Sequence, residues 1–106
     1  MVSAEMKNNV FKIFTESEWS NFQETGQFSG SEDDIRDGFI HLSTKEQVDG
    51  VIERFFPGKH PLYVAEFSGP EFIKQLTWEA SGSKDIYPHL YNLDLFTSEV
   101  TGFSER

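Results

Sequence analysis

The sequence predicts one small α+β domain, with two helices packed on a curved sheet of mixed or antiparallel strands. Three observations predict it. The chain has 106 residues, the usual size of a single domain. Its apolar segments alternate between strand-like and helical as far as residue 56 and are mostly strand-like afterwards, which argues against a doubly wound parallel sheet. Val48, Val51, Ile52, Phe55 and Phe56 fall at i, i+3, i+4, i+7 and i+8, one apolar face of a helix.

Each element has its own local reason. Residues 1–9 are polar and read as a flexible leader to a domain spanning 10–106. Residues 10–14 (VFKIF) are aromatic and β-branched, a strand. Thr15, with Glu18 three residues on, forms a capping box that opens a helix over 16–25, and Gly26 closes it. Residues 27–38 (QFSGSEDDIRDG) lack periodicity and are expected to be a long, mobile loop bordering a site. Residues 39–43 (FIHLS) form a second strand. Thr44 and Gln47 open a second helix over 44–56, stopped by Pro57-Gly58 and expected to bury Val48, Ile52, Phe55 and Phe56. A third strand covers 62–67, a turn 68–70, a helical turn or irregular connection 72–74, and an extended piece 76–79. A polar loop follows over 80–85, then an extended segment over 87–95 and a last edge strand over 98–103.

Composition limits the function classes. Hydrophobic residues make up 37% of the chain and include 11 Phe, too much apolar material for a disordered protein. Eighteen Asp and Glu against nine Lys and Arg give a net charge of -9, which excludes gripping long nucleic acid or an anionic membrane through the general field. A small anionic ligand stays open, because one local Lys or a set of backbone N–H groups can hold it. The absence of cysteine excludes disulfides, thiolate metal sites and a Cys nucleophile, and suits a reducing compartment. With no apolar run near the roughly 20 residues that span a bilayer, the expectation is an acidic, soluble, cytoplasmic protein.

Four places in the chain could carry chemistry. On a strand over 39–43, His41 and Ser43 share the face opposite Ile40 and Leu42. Lys12 stands among aromatic residues, where its ammonium must snorkel, pair or face a cleft. In Tyr87-Pro88-His89-Leu90-Tyr91, His89 and Tyr91 share a side, and the two rings suit stacking against a base or a sugar. Trp78-Glu79 offers an aromatic platform beside a carboxylate able to accept from ribose hydroxyls. Three histidines at 41, 60 and 89, without cysteine and without ligand spacing, lead us to expect no metal. The phosphate-binding glycine loops and the G-x-S-x-G elbow are missing. The expectation is that Lys12, His41, Ser43, Glu79, His89 and Tyr91 converge on one concave site.

KIFTESEW at 12–19, DGFIHLST at 37–44, WE at 78–79 and PHLY at 88–91, in that order, resemble the uncharacterised family called domain of unknown function 952, over about residues 10–100. The resemblance implies a fold like the ADP-ribosyltransferases: a split, curved sheet with helices on it, clasping a nucleotide. A more distant similarity is to the RNA 2′-phosphotransferases of the same superfamily. These carry a first-strand H-G-T motif, a helix with a Trp and a second-strand motif like H-x-H-L-S. His41 matches the second-strand His of that pattern. Lys12 stands where many ADP-ribosyltransferases carry the first-strand His, and Ile13 and Phe14 replace the rest of H-G-T. The resemblance thus implies a ligand of the NAD or ADP-ribose type. Lys12 would meet phosphate or a ribose hydroxyl, His41 the ribose, Trp78 or Tyr91 a ring, and Glu79 or His89 a proton. That is an enzyme related to ADP-ribosyl or phosphoryl transfer. The alternatives are a non-catalytic metabolite-binding module using the same cleft, and a homodimeric interaction protein in which the cleft is vestigial.

Overall fold

The computed structural model describes residues 9–80 and 85–106. The expected leader, apart from Asn9, and most of the expected 80–85 loop lie outside those residues. Strand β1 (Val10–Thr15) organises the rest, because both of its faces are covered. Val10 and Phe14 point to one side and Ile13 to the other, as strand alternation requires. β1 pairs with β4 (Leu62–Phe67), from Val10 opposite Phe67 to Thr15 opposite Leu62, and β4 pairs with β8 (Gly102–Glu105). A second sheet has the order β3 (Ile40–His41), β6 (Ile86–Leu90), β5 (Thr77–Ala80). A third pairs β2 (Gln27–Phe28) with β7 (Leu95–Phe96). Every pairing among the described residues is antiparallel, so the mixed alternative is dropped.

The sheets part where one extended run changes partners. Leu42 N–H donates to the Pro88 carbonyl at 3.1 Å, still on the β6 side. Ser43 then exchanges both backbone bonds with Phe11 of β1, at 2.8 and 2.9 Å. The expected strand over 39–43 therefore contributes only Ile40–His41 to a ladder before its end crosses to the other sheet.

Among the described residues there are four α-helices, not two: α1 (Glu16–Thr25), α2 (Glu32–Asp37), α3 (Val48–Phe55) and α4 (Pro70–Lys74). α1 has the expected capping box and ends on Gly26 at φ 81°, a conformation that costs glycine nothing. The stretch over 27–38 is not a structureless loop. It holds β2 and then α2, which is opened by a second capping box between Ser31 and Asp34 and closed by Gly38 at φ 89°. Gln47 accepts from Thr44 N–H at 3.0 Å, but the turn it starts is 3-10 before α3 begins. Pro70 occupies the first turn of α4, where its missing N–H is not needed.

The main core is built on aromatic contacts: Phe14 stacks on Phe22 at 5.1 Å and meets Trp19 at 5.4 Å and Phe28 at 5.0 Å. Phe67, Phe72, Ile40, Leu42, Leu90 and Leu95 also belong to it. A smaller cluster of Ile13, Val48, Leu62 and Val64 lies under α3. Val51, Ile52 and Phe56 pack against it half-buried and Phe55 is 62% exposed, so of the four residues expected to be buried only Val48 is. Periodicity reports which side of a helix is apolar, not how far its neighbour extends. Phe55 is the last residue of a two-turn helix, and the Arg54 guanidinium lies 5.6 Å from its ring centroid.

Candidate functional site

The β3-β6-β5 sheet has one face on the core and one away from it. Ile40 and Leu90 enter the core and Trp78 packs against it. Alternation therefore sends His41, His89 and Glu79 to the other face. His41 and His89 stand directly opposite each other across β3 and β6, and their ring centroids are 5.7 Å apart. Phe39 covers both: its ring stacks on His89 at 4.0 Å and lies 4.6 Å from His41 and 5.1 Å from Tyr91.

Each histidine is held by its own carboxylate. Asp34, buried on α2, takes the His41 backbone N–H at 3.0 Å and His41 Nδ1 at 2.6 Å on one oxygen. Its other oxygen takes Lys12 Nζ and Ser31 N–H, both at 2.9 Å. Four donors fill the acceptor capacity of a carboxylate. Burial opposes ionisation of Asp34, but the hydrogen bond from His41 and the Lys12 charge outweigh it and hold the carboxyl well below the usual carboxylate range. His41 Nε2 lies 3.0 Å from Asp37, whose carboxyl the hydrogen bond from Arg36 holds low.

His89 is 2% exposed, and its Nδ1 lies 2.6 Å from Glu79 Oε2. The Tyr91 hydroxyl donates to the same oxygen at 2.5 Å. These bonds, Tyr91's first and then His89's, lower the Glu79 carboxyl below its ordinary value, and the same contact raises the Tyr91 hydroxyl. A carboxylate behind a histidine fixes the ring's orientation and tautomer, the arrangement from which proton transfer at the far nitrogen becomes available.

Four of the residues singled out in the sequence, His41, Glu79, His89 and Tyr91, meet on this face. Three do not. Lys12 is buried, its ammonium bonded to Asp34 and, at 3.1 Å, to the His41 carbonyl. It stands behind the face as the counter-ion to Asp34. Ser43 is buried where the chain crosses to β1. Trp78 neighbours Glu79 on β5 and so points the opposite way, into the core. The sequence reading missed Asp34, Asp37 and Phe39. Asp34 has a visible signal, the S-x-x-D spacing from Ser31, inside the loop expected over 27–38. Among the described residues no three His, Asp or Glu side chains are grouped to hold a metal ion.

Fold and face together define a small antiparallel α+β domain with a carboxylate-anchored pair of histidines. A family model described as "Protein of unknown function (DUF952)" matches residues 13–103, and the chain belongs to that family. It is similar to protein CC0527 from Caulobacter crescentus: the crystal structure shares 36% identity over 92% of this chain and 84% of that one, with a TM-score of 0.83. The solution NMR structure of the same protein, again 36% identical, covers 92% of this chain and 83% of its own and gives a TM-score of 0.80. A comparison with curated proteins finds no match.

Proposed function

We propose that the outer face of the β3-β6-β5 sheet binds a small nucleotide-like ligand of the NAD or ADP-ribose type, and that it does so through ribose hydroxyls and a ring. The observation that carries this reading is the cross-strand pair of histidines, 5.7 Å apart and each backed by its own carboxylate, beside the Phe39 and Tyr91 rings. Grouping these polar side chains on one sheet face costs desolvation that a core would not require. Aromatic and imidazole rings suit a base, and carboxylates and imidazole nitrogens suit sugar hydroxyls. The similarity to the ADP-ribosyltransferase-like superfamily, carried by His41 in FIHLS, supports the same ligand class. With Lys12 neutralised by Asp34, the ligand's phosphates point outward to solvent. A carboxylate-held imidazole also equips the face for transfer of the ADP-ribosyl or phosphoryl kind, with His89 and Glu79 as the acid–base pair.

The test is a thermal-shift panel with NAD, ADP-ribose and AMP. A ligand at 100 times its dissociation constant should add about 2.7 kcal/mol of stability. His89→Gln should cut that gain by about half or more, as a tenfold or greater loss of affinity does. Flat melting curves across the panel would remove the nucleotide reading, and slow loss of NAD under the same conditions would separate a transferase from a binding module.

A further inference from the structure

The two histidines are not equivalent. His41 has both ring nitrogens occupied, Nδ1 by Asp34 at 2.6 Å and Nε2 by Asp37 at 3.0 Å. Asp34 itself has no acceptor site left to rearrange onto, since Lys12, Ser31 and the His41 backbone fill the others. Among the described residues His89 is bound at Nδ1 alone, by Glu79 at 2.6 Å. A carboxylate only accepts, so in the neutral ring the hydrogen sits on Nδ1 and the lone pair on Nε2. Nε2 has no hydrogen-bond partner among the described residues. Yet among those residues no buried side-chain nitrogen or oxygen lacks one. Nε2 is therefore not fully covered, although His89 as a whole is only 2% exposed. The ring is fixed in that pose by Phe39 stacked at 4.0 Å and by Glu79, which Tyr91 holds in turn.

We propose that His89, through Nε2, is the proton acceptor of this face, that the ligand presents a hydroxyl or N–H donor to that atom, and that His41 is a positioning group. The assignment rests on the nucleotide reading for the ligand's class and adds the functional group that is recognised, a donor such as a ribose hydroxyl. A lone pair on a nearly buried atom makes a stronger and more directional bond than one in water. When a proton moves, it passes from the ligand's oxygen or nitrogen to Nε2. The ring then carries hydrogen on both nitrogens, and ionised Glu79 faces the new charge.

Long-range proton–nitrogen correlation on the full, nitrogen-15-labelled chain reads this directly. In the neutral ring, His89 should carry its hydrogen on Nδ1, and titration with ADP-ribose should move the His89 Nε2 signal. His89→Gln should weaken ADP-ribose binding about tenfold or more, the loss of one buried hydrogen bond. Hydrogen on Nε2 in the neutral wild-type ring overturns the assignment, as does ADP-ribose binding that leaves Nε2 unmoved. Glu79→Ala should return the hydrogen to Nε2. Should that variant fail to fold, Tyr91→Phe, which removes one hydroxyl and leaves Glu79 in place, should keep it on Nδ1, and a tautomer change there also contradicts the assignment. If ADP-ribose changes neither the melting temperature nor any ring signal, the nucleotide reading falls, and the tautomer still decides the role of His89.

Discussion

Asp34 is a single side chain on which three parts of the chain depend. It caps α2 through Ser31, pairs with Lys12 of β1 and orients His41 of β3. Replacing it with Ala strands the Lys12 ammonium in the interior without its counter-ion, a change that costs about 3–5 kcal/mol for a buried pair. Urea denaturation of Asp34→Ala against the wild type checks this, and a loss under about 1 kcal/mol would show that Lys12 escapes to solvent. The same residue sets the acid side of the stability curve. Its carboxyl is lowered from an ordinary value of 3.8, so the unfolded chain takes up protons first. The stability it contributes is fully present above about pH 4 and is lost progressively as pH falls below that. Glu79, lowered from 4.5 but partly exposed, acts in the same direction with a smaller share. The wild-type melting temperature should therefore drop steeply below pH 4, and Asp34→Ala should show a shallower fall; parallel curves would contradict the role assigned to Asp34. At this scale the sequence was legible where alternation decides a direction, as for His41 and His89. It was silent on Lys12, because alternation put that side chain on the core side without naming the acid, 22 residues away, that receives it.

The elements were legible in proportion to how many residues repeat a signal. α1 announced both of its ends, with Thr15, Glu18 and Gly26 in their expected roles. β1 and β4 are six residues each and read as aromatic, β-branched runs. α2 has six residues and an exposed Ile35, so it has no apolar period to detect, and only its cap residues mark it. β2 and β7 are two-residue pairs that exist through each other, and no local pattern encodes a partner 67 residues away such as Asp94 for Gln27. α3 shows the limit from the other side: its stripe is correct in angle, and its last residue is still outside the core. Phe55→Ala should accordingly cost less than about 1 kcal/mol, whereas Phe67→Ala, at a fully buried position beside Phe72, should cost about 3–5 kcal/mol. Denaturant titrations of the two variants side by side measure the difference, and equal losses would mean that α3 is seated deeper than described.

At the scale of the molecule, the split between the sheets is what makes a candidate site. One extended run pairs with β6 at Ile40–His41 and with β1 at Ser43, and α2 packs its Asp34 into the gap that this change of partner opens. The result is a histidine pair anchored from behind by carboxylates on a protein with a net charge of -9. That charge disfavours long polyanions, and the partner we propose for the face is a small ligand met by rings and hydroxyl-binding groups. The most direct measurement is to titrate the labelled full chain with ADP-ribose and map which backbone and ring signals move. Binding at the proposed face should move Phe39, His41, Glu79, His89 and Tyr91 together and leave the α3 side, around Val48 and Ile52, unchanged. Saturable changes confined to other residues, or none at any concentration up to the millimolar range, would contradict it.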